Sequence, residues 1–350
     1  MKLLPQQIRV LIVDDSALVR KLLRDVISGD PSMEVVGTAS NGVEAIRAVA
    51  ELEPDVVTMD IHMPEMDGLT ALEYIMRKHP LPVVMLSALA QKGATATLKA
   101  LELGAVDFIT KPSHYPSAVK EVREEVVLKV KTAAHARAYV LKGQARRKMK
   151  REPAISKGSS VGEKLVVIGA SAGGPKALAE IMPRFPENTP AAIVIVQHMP
   201  GVFTRSFASR LNNICSLQVK EAEENEELQP GRVLVAPGGK DLVVISDDNG
   251  SGRIELIESQ NRVGASPRID ATMVTAAEVY GAESVGVIMT GMGSDGASGM
   301  EKIKKSKGGT IAQDEETCLV YGMPKVAIER GCIDWVVSLD MIPDKVMELL

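Results

Sequence analysis

Cysteine is scarce in this chain: three in 350 residues, at Cys215, Cys318 and Cys332. An odd, scattered set with no C-x-x-C pair excludes a disulfide framework and fits a reducing compartment. Long hydrophobic runs are missing too. The longest, such as A-A-I-V-I-V at 191–196, are strand-sized, well short of the ~20 apolar residues that cross a bilayer. The opening M-K-L-L-P-Q-Q-I-R-V lacks the unbroken apolar core of a signal peptide. Charge of one sign is absent as well, since a net charge of -4 offers no global attraction for nucleic acid or an anionic membrane. These absences predict a cytoplasmic protein that neither inserts into a membrane nor binds nucleic acid.

What is present is an ordinary globular composition, 45% hydrophobic and 25% charged. The length exceeds what one core usually serves, so two domains are expected. In the first part, short β-branched runs at 8–13, 34–39, 55–59, 82–86 and 106–109 alternate with helical patterns. In the first of these, S-A-L-V-R-K-L-L-R-D-V-I, the spacing puts Leu18, Leu22 and Val26 on one face. Five strand–helix units predict a parallel sheet covered on both sides. The fifth helix is expected from about 117 to 140.

The stretch K-G-Q-A-R-R-K-M-K-R-E-P-A-I-S-K-G-S-S-V-G-E-K then has few apolar residues and ends in small polar ones, as a tether does. Its basic cluster, Arg146–Arg151, holds no aromatic residue and reads as solvated chain, not a nucleic-acid patch. Alternation resumes near Leu165. Strands are expected at L-V-V-I-G, A-I-V-I-V-Q-H, R-V-L-V-A-P-G, D-L-V-V-I-S, S-V-G-V-I-M-T-G and G-T-I-A-Q-D, with the acidic run E-A-E-E-N-E-E as a solvated loop or face. The expected domains are 1–128 and 161–350, both α/β, the second doubly wound and mainly parallel, joined by a helix extension and linker over 129–160.

In the first domain Asp14 and Asp15, Asp60, Ser87 and Lys111 fall at or just after strand ends. Carboxyl ends of adjacent parallel strands form the ligand crevice of an open sheet. A lone Asp there is an ordinary turn residue. Three converging carboxylates, however, call for a hard cation such as Mg²⁺, with the lysine and hydroxyl placed for a phosphoryl group. D-D-S at 14–16, M-D-I-H-M-P-E-M-D-G at 59–68, L-S-A at 86–88 and F-I-T-K-P at 108–112 resemble the receiver domain of bacterial response regulators over about 8–128. The resemblance implies a flavodoxin-like fold in which Asp60 takes a phosphoryl group from a histidine kinase. It further implies Mg²⁺ on Asp14, Asp15, Asp60 and the backbone carbonyl of His62, phosphoryl contacts from Ser87 and Lys111, and Phe108 as the aromatic that changes rotamer.

In the second domain, L-V-V-I-G-A-S-A-G-G-P at 165–175 offers two chemistries. A glycine loop before a helix can cradle a phosphate. Here Ser171 replaces the second glycine of G-x-G-x-x-G, no acidic ribose partner follows at the right distance, and no Lys-Ser or Lys-Thr pair makes a P-loop. G-A-S-A-G does fit G-x-S-x-G, a strand-to-helix turn that presents a serine. That pentapeptide alone is weak. His198, the one histidine of this half, ends another strand pattern, and Asp295 lies in a glycine-rich loop after a third. Each residue has an ordinary structural reading, but three strand-end members favour a Ser-His-Asp triad. The chain order differs from that of α/β-hydrolases.

I-G-A-S-A-G-G-P, V-Q-H-M-P, A-P-G-G, S-P-R-I-D and M-T-G-M-G-S-D-G-A resemble the catalytic domain of the CheB family of chemotaxis protein-glutamate methylesterases. Receiver, linker and esterase follow that family's order. The resemblance implies hydrolysis of glutamyl γ-methyl esters, and deamidation of some glutamines, on chemoreceptor cytoplasmic domains. It assigns Ser171 as nucleophile, His198 as base then acid, Asp295 as orienter and the Met292 backbone N–H as oxyanion donor, with no cofactor for this domain. Ala172 departs from the threonine often found there. Phosphorylation is expected to relieve a block of the esterase crevice by the receiver. The rival outputs are a DNA-binding module, for which no basic helical unit is visible, and a nucleotide-binding oxidoreductase.

Overall fold

A computed structural model of the chain describes residues 7–88, 91–111, 119–136, 140, 164–247, 252–259 and 266–350. Pro112, the tether at 142–163 and the basic cluster Arg146–Arg151 lie outside these residues. The chain divides into two compact units, Met1–Arg147 and Lys148–Leu350. Among the described residues, no helix is long and apolar enough to cross a membrane.

The first unit alternates β1 (Ile8–Val13), α1 (Ala17–Ser28), β2 (Met33–Ala39), α2 (Gly42–Leu52), β3 (Val56–Asp60), α3 (Gly68–Lys78), β4 (Val83–Ala88), α4 (Gln91–Leu103), β5 (Asp107–Lys111) and α5 (Val119–His135). The strands form one parallel sheet in the order β2-β1-β3-β4-β5. This is the flavodoxin-like order, whose chain reversal lies between β1 and β3. Helix starts follow side-chain capping: Asn41 accepts from Glu44 N–H at 2.9 Å and Asp67 from Thr70 N–H at 2.7 Å. In α1 the expected stripe is corrected. The buried face is Leu23, Val26 and Ile27, and Leu18 is 63% exposed. Apolar residues supply two overlapping stripes that share Val26, and packing on the sheet buries Leu23 and Ile27 with it in place of Leu18. Helix α5 was expected from about 117; residues 112–118 and 137–139 lie outside the described set, and the helix is seen over Val119–His135.

The second unit holds a seven-stranded parallel sheet. Its strands are β6 (Lys164–Ala170), β7 (Ala191–Gln197), β8 (Gln218–Glu221), β9 (Arg232–Val235), β12 (Ser284–Ile288), β13 (Gly309–Gln313) and β14 (Trp335–Val337), in the order β14-β13-β12-β6-β7-β9-β8. β10 (Lys240–Ser246) and β11 (Gly252–Glu258) pair antiparallel as a separate two-stranded sheet. The helices are α6 (Gly174–Ile181), α7 (Gly201–Asn212), α8 (Ile269–Tyr280), α9 (Ala297–Lys305), α10 (Met323–Glu329) and α11 (Ile342–Leu349). The central strands β6, β7 and β12 are buried along nearly their whole length, hence their unbroken Val/Ile runs. Fully burying one such side chain contributes about 1.5–3 kcal/mol. β8, β11 and β14 were not expected. The acidic run begins in β8, and Lys220 there pairs with Glu223 (3.3 Å) and Glu226 (3.2 Å). From β6 the chain moves outward through β7 and later returns to the other side of β6 as β12. The reversal point at the carboxyl ends of β6 and β12 is where such sheets bind ligands.

Candidate active site and carboxylate cluster

Ser171 follows directly on β6. Its N–H donates to the Thr290 carbonyl (3.0 Å) and its carbonyl accepts from Gly174 N–H (2.8 Å), which closes a tight turn into α6. Gly173 sits in the left-handed region at φ +78, and Pro175 opens the helix. A Cβ on Gly174 would lie 2.0 Å from Gln197 Oε1, so any side chain there displaces the Gln197 carboxamide. The Thr290 hydroxyl donates to the Ala172 carbonyl at 2.9 Å, so the end of β12 grips the turn a second time. Gly291 packs on Ser171: a Cβ on it would be 2.7 Å from Ser171 Cβ. Met292 follows Gly291 directly in the chain, and the residue is 42% exposed.

His198 follows β7, and its N–H donates to the Ala170 carbonyl at 3.0 Å. Its Nε2 meets Asp295 Oδ2 at 2.8 Å, with the imidazole side chain only 5% exposed. Asp295 comes from the loop between β12 and α9. Its Oδ2 also accepts from Ile269 N–H (2.8 Å), and its Oδ1 accepts from Asp270 N–H and Gly296 N–H (3.0 Å each). The carboxylate thus caps the N-terminus of α8, where free N–H groups and the helix dipole favour negative charge. Burial pushes the Asp295 carboxyl up. The imidazole and the backbone N–H groups outweigh it and hold the group below the usual carboxylate range. Asp270 answers in kind by accepting from Gly299 N–H at 2.7 Å in α9. Burial, the nearby Asp295 charge adding to it, raises the Asp270 carboxyl.

All three residues expected as a triad therefore reach one place, at the ends of β6, β7 and β12. The serine hydroxyl and the imidazole make no hydrogen bond here. With Nε2 engaged by Asp295, Nδ1 is the nitrogen left to serve a serine, the reverse of the usual assignment. Sequence reasoning gave no part to Gln197, which is 2% exposed and donates from Nε2 to the carbonyls of both Ser171 and His198 at 3.0 Å. Thr290 and Asp270 were missed likewise. All three sit inside quoted motifs; a polar residue at an otherwise buried strand end was the available signal for Gln197 and Thr290, and an acidic residue in the first turn of a helix was the signal for Asp270.

In the first unit, Asp14 and Asp60 are buried and Asp15 is exposed, and one oxygen from each lies within 4.8 Å of the others. Lys111 bridges two of them, 2.7 Å from Asp14 Oδ2 and 2.8 Å from Asp60 Oδ2. Burial raises the Asp14 carboxyl despite Lys111, with Asp60 repulsion adding to it. Burial pulls the Lys111 ammonium down, and the two carboxylates more than reverse that. Three carboxylates against one lysine leave an excess of negative charge on oxygen donors, the set that suits a hard divalent cation. Ser87 is turned to Thr97, Oγ to Oγ1 at 2.6 Å; Thr97 donates to the Gly93 carbonyl, so Ser87 is the donor of that pair. Phe108 is buried, with Lys129 Nζ 4.8 Å over its ring. His62 lies exposed just past β3.

Comparison with known proteins matches residues 166–346 to the CheB methylesterase family and residues 10–123 to the response regulator receiver domain. The chain is 49% identical to a Pyrococcus abyssi protein named protein-glutamate methylesterase/protein-glutamine glutaminase, over 99% of this chain and 95% of that one. A Thermotoga maritima protein of the same name is 45% identical, with 98% of each chain covered. The crystal structure of the Thermotoga maritima CheB methylesterase catalytic domain aligns at a TM-score of 0.53 and 46% identity, covering 54% of this chain and all of that one. With the carboxylate cluster on a 2-1-3-4-5 sheet and the serine, histidine and aspartate at a second sheet's reversal point, this chain belongs to the CheB methylesterase family and carries a response regulator receiver domain ahead of its catalytic domain.

Proposed function

We propose that the chain hydrolyses glutamyl γ-methyl esters, and deamidates certain glutamines, on the cytoplasmic domains of chemotaxis receptors. The observation that carries this reading is the His198–Asp295 hydrogen bond, set on a carboxylate that three backbone N–H groups hold ionised beside the Ser171 turn. Asp295 keeps the imidazole proton on Nε2, so the Nδ1 lone pair receives the Ser171 proton as Oγ attacks the ester carbonyl. The Met292 backbone N–H takes the oxyanion. Collapse breaks the C–O bond, and methanol leaves with the proton from Nδ1. For a glutamine, ammonia leaves by the same route. Water, deprotonated by His198, then attacks the glutamyl-serine ester to release the carboxylate and restore Ser171. Methanol release from a methylated receptor fragment tests this. Ser171→Ala and His198→Ala should each lose at least about 10³-fold in kcat; turnover retained by either variant overturns the triad.

In the first unit, Asp60 is the acceptor of a phosphoryl group from a chemotaxis histidine kinase. Asp14, Asp15, Asp60 and the His62 backbone carbonyl would hold Mg²⁺, which when bound neutralises charge on the transferring phosphoryl group. Lys111 then exchanges a carboxylate for a phosphoryl oxygen, Ser87 leaves Thr97 to reach the same group, and Phe108 changes rotamer. The unphosphorylated receiver restrains the esterase, and phosphorylation releases it. The whole exchange takes place in the cytoplasm. A small-molecule phosphodonor with Mg²⁺ should raise the esterase rate of the wild type and leave Asp60→Asn unmoved. Equal stimulation of both would overturn the phosphorylation reading.

A further inference from the structure

We propose that Arg268 makes the catalytic unit selective for acidic substrate, its guanidinium binding carboxylates of the polypeptide segment that flanks the glutamyl group under attack. This rests on the esterase reading above and adds a specificity residue to it.

Placement comes first. The Ser266 carbonyl accepts from Met199 N–H at 3.1 Å, next to His198, and Ile269 N–H donates to Asp295 at 2.8 Å. Only Pro267 and Arg268 lie between those two anchors, so Arg268 spans the histidine and its acid. Ser266 Oγ also accepts from Gly239 N–H, and Gly238 packs on Gly201, so the A-P-G-G and S-P-R-I-D segments form one wall beside His198.

The side chain is held as if for a task. Asp241, at the start of β10 and 1% exposed, accepts from Arg268 N–H at 3.0 Å and from Nε at 2.6 Å. That grip fixes the guanidinium through Nε, uses neither terminal nitrogen in a hydrogen bond to Asp241, and leaves the side chain 46% exposed. Two features argue against a purely structural role. A cation at the N-cap of α8 opposes the helix dipole. The pair is also open to solvent on its arginine side, where ion pairs add little net stability. Nor does Asp295 need the charge, since four donors already hold it. What remains is an anchored, half-exposed fork suited to bidentate carboxylate binding, at the mouth of a site whose turnover leaves carboxylates on its substrate.

The test uses the full chain and two synthetic peptides, each bearing one glutamyl γ-methyl ester, flanked in one by glutamates and in the other by glutamines. Methanol release gives the kcat/KM ratio between them. The wild type should favour the acidic peptide about three- to tenfold, with a preference that fades as salt is added. Arg268→Gln should bring the ratio to about one and remove the salt effect. Arg268→Met, which keeps the apolar stem, serves if the glutamine variant does not fold. A wild-type ratio retained in the variant, or an equal loss on both peptides, overturns the proposal. Ser171→Ala in the same assay separates the two ideas: turnover surviving in it overturns the esterase reading, whatever Arg268 does.

Discussion

Asp295 shows how one charged atom group sets both chemistry and stability. Its folded carboxyl is held below the ordinary value, so the stability it contributes is fully present above the unfolded value near about 3.9. That contribution is lost as pH falls through the lower folded value, placing the window on the acid side of 4. Asp295→Asn should therefore cost stability at pH 7, with a deficit that shrinks in urea unfolding below pH 4. Its effect on rate is larger, because an amide facing Nε2 favours the tautomer with the proton on Nδ1, where no serine proton can be accepted. A kcat loss of about 10³- to 10⁴-fold is expected, read by methanol release. Gly174→Ala tests the other anchor of the site. The added methyl would displace the Gln197 carboxamide and with it the tie between the Ser171 and His198 carbonyls. A kcat loss of at least about tenfold with KM little changed is expected, as for a misplaced nucleophile.

Helices and strands contribute through their ends. The N-terminus of α8 holds Asp295, the ends of β6 and β7 hold Ser171 and His198, and the end of β12 grips the serine turn. The N-terminus of α2, by contrast, serves stability alone. Asn41→Ala, which removes the α2 cap, should cost about 1 kcal/mol in the first unit, seen as a lower urea midpoint, and leave esterase kcat unchanged. The buried central strands were legible in sequence because burial on both faces writes an unbroken Val/Ile run. Edge strands such as β8 and β14 are short and only partly buried, so their residues carry no such pattern. The face of α1 was illegible for a different reason: two apolar stripes overlap, and only packing on the sheet chooses Leu23 and Ile27 over Leu18.

Two sheets with reversal points, one bearing carboxylates and one a serine, join a receiver domain to a methylesterase domain in one chain, and under the proposed function a phosphoryl signal on the first governs the second. The 160–350 fragment should hydrolyse ester at least as fast as the unphosphorylated full chain, measured with the same substrate at equal concentration. A slower fragment would show that the receiver does not restrain the catalytic unit. Chelating Mg²⁺ should abolish stimulation by phosphodonor while leaving the fragment's rate untouched, as the proposed placement of the ion at Asp14, Asp15 and Asp60 requires.

The sequence by itself determined the two α/β units, the strand ends on which Asp14, Asp60, Ser171, His198 and Asp295 stand, and the chemistry those residue types allow. Period and turn chemistry are local, and each of these residues announces itself within a few neighbours. Only the tertiary structure decided which atoms meet: that Asp295 takes Nε2 and leaves Nδ1, that Gln197 ties two carbonyls, and that Asp241 holds Arg268 at the rim. Those pairings join positions tens of residues apart. Strand order and side-chain packing create them, and no local pattern can record them.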